Sequence, residues 1–474
     1  MNHHWKRLLL TLGCGLLLYP FINQTMNAQA SVLARLKVTQ NQSAVTAEQP
    51  SMNLYLPLIS VATSSADGQT SQAETETPSV EAQAVTPRRP FPQHVTYAPG
   101  TIRPTVQTQS QQDTDVRNFY TYWKQKYLKT AGKTTAGNPL YRISFGSTDP
   151  GRTVSEGQGY GMVIVALLAG YDVNAQAEFD GLWEFSRKYP STIDRRLMGW
   201  QVPTDPGGSD SAFDGDADIA YGLLLADAQW GSTGRINYKA AAQTVIAGIL
   251  AATIGPQSRL PTLGDWVETN GSPYNQYTPR SSDFMPAHFR AYGRATNDPV
   301  WNQVVTQVQS VITSLQTNYS PQTGLLPDFI VPKSSADHTP KPAGANFLEG
   351  ANDGKYAYNA GRVPWRIGTD ALLNNDAKSL AAARKISEWA RGATGGDPLK
   401  IRAGYALNGT PLSGSNYFTS FFVAPIGVAA MLTPAQQPWL NQIYTAVRTR
   451  HEDYYEDSVT LQCLLVMTGN YWNP

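Results

Sequence analysis

Three short segments gather side chains able to move a proton. In Val154-Ser155-Glu156-Gly157-Gln158-Gly159-Tyr160-Gly161-Met162 an acid opens an apolar run, with three glycines in five residues that let the backbone approach something closely. A dinucleotide fingerprint does not fit: no clear strand precedes it, and Met162 stands where the last glycine belongs. In Ser209-Asp210-Ser211-Ala212-Phe213-Asp214-Gly215-Asp216-Ala217-Asp218, four aspartates in nine residues precede an apolar helix. Counted from Asp214, an EF-hand would need glycine at Ile219 and glutamate at Leu225, so that calcium loop is excluded. Helix capping accounts for one or two of these acids, not four. The third segment runs from Phe347 through Glu349, Asp353, Tyr358, Asn359 and Arg362 to Arg366, with Pro364 suited to the first turn of a helix. On physics alone Glu156 could equally be a first-turn acid favoured by the helix dipole, and the third segment a solvated loop.

Other chemistries find little material. Cys14 and Cys463 rule out a disulfide framework and a cysteine zinc site, and His3, His4, His94, His288, His338 and His451 form no HExxH or HxH pattern. No metal and no cofactor is expected. Lys and Arg number 37 against 36 Asp and Glu, a formal net charge of +1, which gives no electrostatic reason to expect nucleic acid or an anionic membrane. Charged residues are only 15% of the chain and aromatics 10%. Clustered carboxylates with aromatic neighbours suit a sugar polymer.

The elements that must position these residues read as helices. About twelve amphipathic or buried helical stretches lie between 113 and 469, and the half-buried strand alternation is absent from them. Trp301, Val304, Val305, Val308, Val311, Ile312 and Leu315 have the spacing of one helix face, and Gly170, Gly231 and Gly469 follow the ends of periodic runs. Six helix hairpins closed in a ring, an all-α (α/α)6 barrel, satisfy that count; an open helical solenoid is the alternative. Ahead of them, residues 1–30 read as a secretory signal: Lys6 and Arg7, then apolar Leu8 to Leu18, then Ala28-Gln29-Ala30. An uncleaved N-terminal anchor is the competing reading. Residues 31–112 turn to Gln, Thr, Ser, Ala and Pro and carry no tryptophan, the composition of a disordered linker; the apolar run Leu54 to Val61 inside it has no physical explanation. The expected protein is secreted and monomeric, free of the membrane after cleavage, with a catalytic domain over 113–474.

Taken together the motifs resemble glycoside hydrolase family 8, inverting endo-glycanases that include cellulases, mixed-linkage glucanases, chitosanases and some xylanases. The likeness rests on SEGxGYGM at 155–162, FDGLW at 179–183, DGDxDIAYxLL at 214–224 and YNAxRVPWR at 358–366, in the family's order. It implies that Glu156 is the general acid, that Asp214 holds and distorts the sugar at the cleavage point, and that Tyr358 and Arg362 orient the water and the base. Trp200 resembles a stacking platform, though it could be an ordinary core aromatic. Where many members carry the basic aspartate this chain has Asn359, which cannot accept a proton from water. One branch of the family draws its base from an upstream loop, which implies Glu349 here, with Asp353 in reserve. The resemblance points to a β-1,4-linked or mixed-linkage β-glucan as substrate. Chitosan is the closest rival, since the same branch includes chitosanases and Asp205, Asp210, Asp216 and Asp353 could receive glucosaminium groups. A non-catalytic carbohydrate-binding surface protein would have no need of an acid and a base, and a carbohydrate lyase would want a Tyr/His or Lys base that is not in evidence.

Overall fold

The computed structural model describes residues 85–204 and 208–474. Among the described residues, twelve α-helices alternate between an outer and an inner ring. The outer helices are α1 (Gln109–Tyr127), α3 (Ala175–Lys188), α5 (Tyr238–Ala252), α7 (Val300–Asn318), α9 (Ala377–Thr394) and α11 (Gln437–Val447). The inner ones are α2 (Ser155–Leu167), α4 (Phe213–Trp230), α6 (Pro286–Thr296), α8 (Val363–Asn374), α10 (Ser420–Ala430) and α12 (Tyr454–Met467). Contacts run α2–α4–α6–α8–α10–α12 and back from α12 to α2, so the inner ring closes. This is the (α/α)6 barrel; an open solenoid would leave that last contact unmade. Among the described residues three two-stranded antiparallel sheets decorate it: β1 (Leu128–Lys133) with β2 (Pro139–Ile143), β3 (Thr153–Val154) with the distant β4 (Gln201–Val202), and β5 (Ile330–Pro332) with β6 (Pro340–Pro342).

The two rings differ in sequence because they differ in surroundings. α7 buries Trp301, Val304, Val305, Val308, Val311, Ile312 and Leu315 on one face and turns polar residues outward. Inner α2, α4, α10 and α12 are packed on all sides and buried along nearly their whole length, so they lack a polar outer face, and the polar residues that α4 and α12 carry, such as Asp218 and Asp457, are buried with the rest. Glycines let them approach one another. A Cβ on Gly159 would sit 2.8 Å from the carbonyl oxygen of Gly215, and one on Gly157 2.7 Å from the Tyr454 hydroxyl. The glycine run at 157–161 therefore serves helix packing, and through Tyr454 it also shapes the site.

One expected boundary moves. α1 starts at Gln109, where Thr108 and Gln111 form a reciprocal capping box. Residues 85–108, expected as the end of a disordered linker, instead form a strap across the end of the barrel where the inner helices finish. The amides of Arg88, Phe91, Val95, Ala98 and Ile102 donate to the carbonyls of Gln229, Ala169, Gly469, Leu372 and Met431 at 2.7–2.9 Å. Those five acceptors lie at the C-terminal ends of α4, α2, α12, α8 and α10, where carbonyls lack intrahelical partners. Phe91 and Tyr97 are buried, and the Arg89 guanidinium lies 4.6 Å over the Trp472 ring. The strap holds by main-chain pairing, which a composition poor in core formers does not reveal. The stretch read as a secretory signal at 1–30 and the rest of the expected linker, including 54–61, lie outside the described residues.

Candidate active site

The opposite end of the barrel collects the N-termini of the inner helices. Glu156 is in the first turn of α2, Asp214 in the first turn of α4, Ser282 in the short turn before α6, Arg362 at the N-cap of α8, and Tyr454 and Tyr455 in the first turn of α12. The positive ends of those helix dipoles face a cleft that holds several acids. Glu349 reaches the same cleft from the loop between β6 and α8.

Arg362 is the hub. Its side chain is 1% exposed, and one terminal nitrogen donates to Glu156 Oε2 at 2.6 Å and Asp214 Oδ2 at 2.8 Å. The other donates to Ser282 Oγ at 2.8 Å and to Asn359 Oδ1 at 3.1 Å. Asn359 then donates through Nδ2 to Glu349 Oε2 at 2.7 Å. An asparagine can accept from the cation and donate to the carboxylate at once; an ionised aspartate there could only accept. Tyr454 Oη donates to Glu156 Oε1 at 3.0 Å. Arg280 closes the circuit, 3.5 Å from Asp214 Oδ2 and 3.3 Å from Glu349 Oε1. Glu156 and Glu349 keep 17% and 18% of their side chains open, against 4% for Asp214, so the two glutamates are the acids a ligand reaches.

Their electrostatics diverge. Burial pushes the Glu156 carboxyl up to about 7; Arg362 works against it and Asp214 with it. Burial also raises Glu349, opposed by Arg280 and by the amide of Asn359. For Asp214 burial is outweighed by Arg362 and Arg280, which hold it below the usual carboxylate range. One acid is thus disposed to carry a proton near neutrality while Asp214 stays ionised, the separation that acid–base chemistry uses.

The other expected site residues fall into two groups. Trp200 lines the cleft, half-buried, with the Arg152 guanidinium 5.7 Å over its ring. Tyr358 also lines it, stacked on Phe421 at 5.4 Å with its hydroxyl 2.8 Å from that of Tyr417. Asp353 is committed elsewhere: its carboxylate accepts from the amides of Leu348, Glu349 and Gly350 at 2.7–3.0 Å and so folds the loop that carries Glu349. Among the clustered aspartates, Asp210 and Asp214 line the cleft. Asp216 accepts from the Met198 amide, and Asp218 pairs with His288 and Arg366 in the core. Asp205 lies outside the described residues.

Sequence reasoning missed Arg280, Ser282, Asp328, Tyr454, Tyr455 and the cleft-lining Trp266. Asp328 is buried, pushed up to about 8 by burial, and accepts from the amides of Ala357 and Ala360 beneath Asn359. The signal available was local: Arg280 stands just ahead of the α6 run, and a Tyr-Tyr pair follows the Asp453 N-cap of α12. Neither forms a motif alone.

Hydrolysing a glycosidic bond asks for two carboxyl groups brought to one open cleft from separate elements, with ring faces on which a sugar can lie. This barrel end supplies both, and the protein is a glycoside hydrolase. Its sequence says which: the model of the glycosyl hydrolases family 8 matches residues 101–469, and the chain belongs to that family. A beta-glucanase of Niallia circulans is 44% identical over 390 residues, covering 81% of this chain and 92% of the relative. An endoglucanase of Bacillus sp. (strain KSM-330) is 39% identical, covering 81% and 82%. Among solved structures, the apo beta-1,3-1,4-glucanase of Paenibacillus sp. X4 is 43% identical with a TM-score of 0.77, covering 82% of this chain and all of that one.

Proposed function

We propose that the protein is an endo-acting, inverting β-glucanase that cleaves β-1,4 linkages in cellulose-like or mixed-linkage β-glucan. The observation that carries the reading is the pair Glu156 and Glu349, both open to one cleft and joined through Arg362 and Asn359. Glu156, protonated up to about pH 7, gives its proton to the departing glycosidic oxygen. Glu349, ionised with help from Arg280 and Asn359, takes a proton from the attacking water on the other ring face. Ionised Asp214 lies beside Arg362 and steadies the positive charge that grows on the ring as the bond breaks. Trp200, Tyr358 and Trp266 offer ring faces along the cleft, and Arg362 keeps both halves of the site in register.

Glucan is favoured over chitosan by two observations. The relatives at 39–44% identity are named for glucan. Of the acids that could hold glucosaminium groups, Asp216 and Asp353 are spent on backbone amides. Reducing-sugar release by the purified protein from barley β-glucan, carboxymethyl cellulose, chitosan and xylan tests this. Rapid release from the first two and little from the others is expected; preference for chitosan would overturn it. Secretion, with cleavage after Ala30, and a monomeric enzyme belong to the same proposal. The N-terminal sequence of the exported protein and its sedimentation velocity test them. No helix among the described residues is long and apolar enough to cross a membrane.

A further inference from the structure

Glu349 projects from a loop, whereas Glu156 and Asp214 stand on helices of the inner ring. A loop-borne base gains precision only if something rigid holds its side chain, because misplacement by about 1 Å can cost about a hundredfold in rate. Asp353 folds the loop upon itself through three amides but does not tie the Glu349 carboxylate to the barrel. Asn359 does so from the start of α8 at 2.7 Å, and Arg280 does so at 3.3 Å while also reaching Asp214. The backbone of Arg280 is clamped where the amide of Ser281 donates to the carbonyl of Asp328 at 3.0 Å and that of Ile330 to the carbonyl of Pro279 at 3.1 Å. Its guanidinium lies 5.4 Å over the Phe329 ring and reaches two carboxylates from there, Glu349 on the loop and Asp214 on α4. The same strand segment holds the Glu349 loop from below, since the amides of Asp328 and Phe329 donate to Lys355 and Asp353 at 2.8 Å.

We infer that Arg280 is a positioning residue for hydrolysis, holding the carboxylate of Glu349 in register with Asp214 across the point of cleavage. The inference rests on the reading of Glu349 as the base. Charge follows from the same geometry. Glu349 faces Arg280 from the turn before α6, Arg362 and the amide of Asn359 from the start of α8, Asp353 from its own loop, and Asp328 from the segment before β5. Removing Arg280 leaves Arg362 as the cation facing Glu349, set against Asp353, and the base then protonates more readily. Glu156 also feels Arg280, but less than it feels Arg362 and Asp214.

The test compares Arg280→Met and Arg280→Lys in the full protein, with Glu349→Gln alongside and folding checked by circular dichroism. On barley β-glucan, Arg280→Met is expected to lower kcat by about tenfold to a hundredfold with KM little changed. The acidic limb of its kcat/KM profile is expected to move to higher pH. Arg280→Lys keeps the charge but not the two-carboxylate reach, so it should return that limb toward wild type while kcat stays reduced. Wild-type kcat in Arg280→Met, or a lowered kcat with an unmoved acidic limb, overturns the inference. Should Arg280→Met not fold, Arg280→Lys decides: reduced kcat with the wild-type limb supports it, and wild-type kcat overturns it. Full activity in Glu349→Gln would instead sink the base assignment, whatever Arg280 does.

Discussion

Replacing Glu156, the proposed acid, by glutamine keeps its size and an acceptor for Tyr454 but removes the proton that the proposal delivers to the leaving oxygen. With Glu349 as the proposed base, its replacement by glutamine leaves the attacking water without a proton acceptor. Each change is expected to lower kcat by a factor of about 10² to 10⁴, with KM and the circular dichroism spectrum little changed; near wild-type turnover in either variant would remove that residue from its role. Asn359 permits a sharper question, because its Nδ2 already lies 2.7 Å from Glu349 Oε2. If a carboxylate there serves the same water, Asn359→Asp should restore measurable turnover to an inactive Glu349→Ala protein, and no restoration would mean that the two positions serve different geometry. Glu156, Asp214, Asn359 and Arg362 were legible in the sequence because each sits in a contiguous motif. Arg280 and Tyr454 were not, since their meaning arises from contacts with residues 69 and 298 positions away. Asp353 stood in reserve as a base by residue type alone, and three amides explain why it holds the loop instead.

At the scale of elements, periodicity locates all twelve helices, because a helix inside a closed ring or along its rim must carry an apolar core or stripe. Composition misplaces the strap. Residues 85–108 hold few core formers, yet their amides satisfy carbonyls at the ends of five inner helices, a role that depends on where those helices finish. The consequence is a sharp boundary for truncation. A protein beginning at Val85 is expected to keep wild-type turnover and melting behaviour. One beginning at Gln109 loses Phe91, Tyr97 and the main-chain pairing, with each buried aromatic contributing about 1.5–3 kcal/mol, and should melt at least about 5 °C lower by calorimetry. An unchanged midpoint in the shorter protein would show that the strap does not stabilise the barrel.

For the whole molecule, near-zero net charge and an aromatic-lined cleft suit an uncharged polymer, and the pH response follows from the acids within it. As the proposed acid Glu156 must be protonated to act, and burial holds its carboxyl up to about 7, so kcat/KM should fall as pH rises through about 7. As the proposed base Glu349 must be ionised, and with its carboxyl raised by burial the activity should also fall on acidification, giving a bell. In a Glu156→Gln protein any residual activity should lose the alkaline limb, and a limb that persists would belong to another group. The most direct measurement follows the anomeric proton of the first product by NMR while the enzyme acts on barley β-glucan. With Glu156 as acid and Glu349 as base acting on water, the newly formed reducing end appears first as the α-anomer and mutarotates afterwards. Initial appearance of the β-anomer would contradict the account.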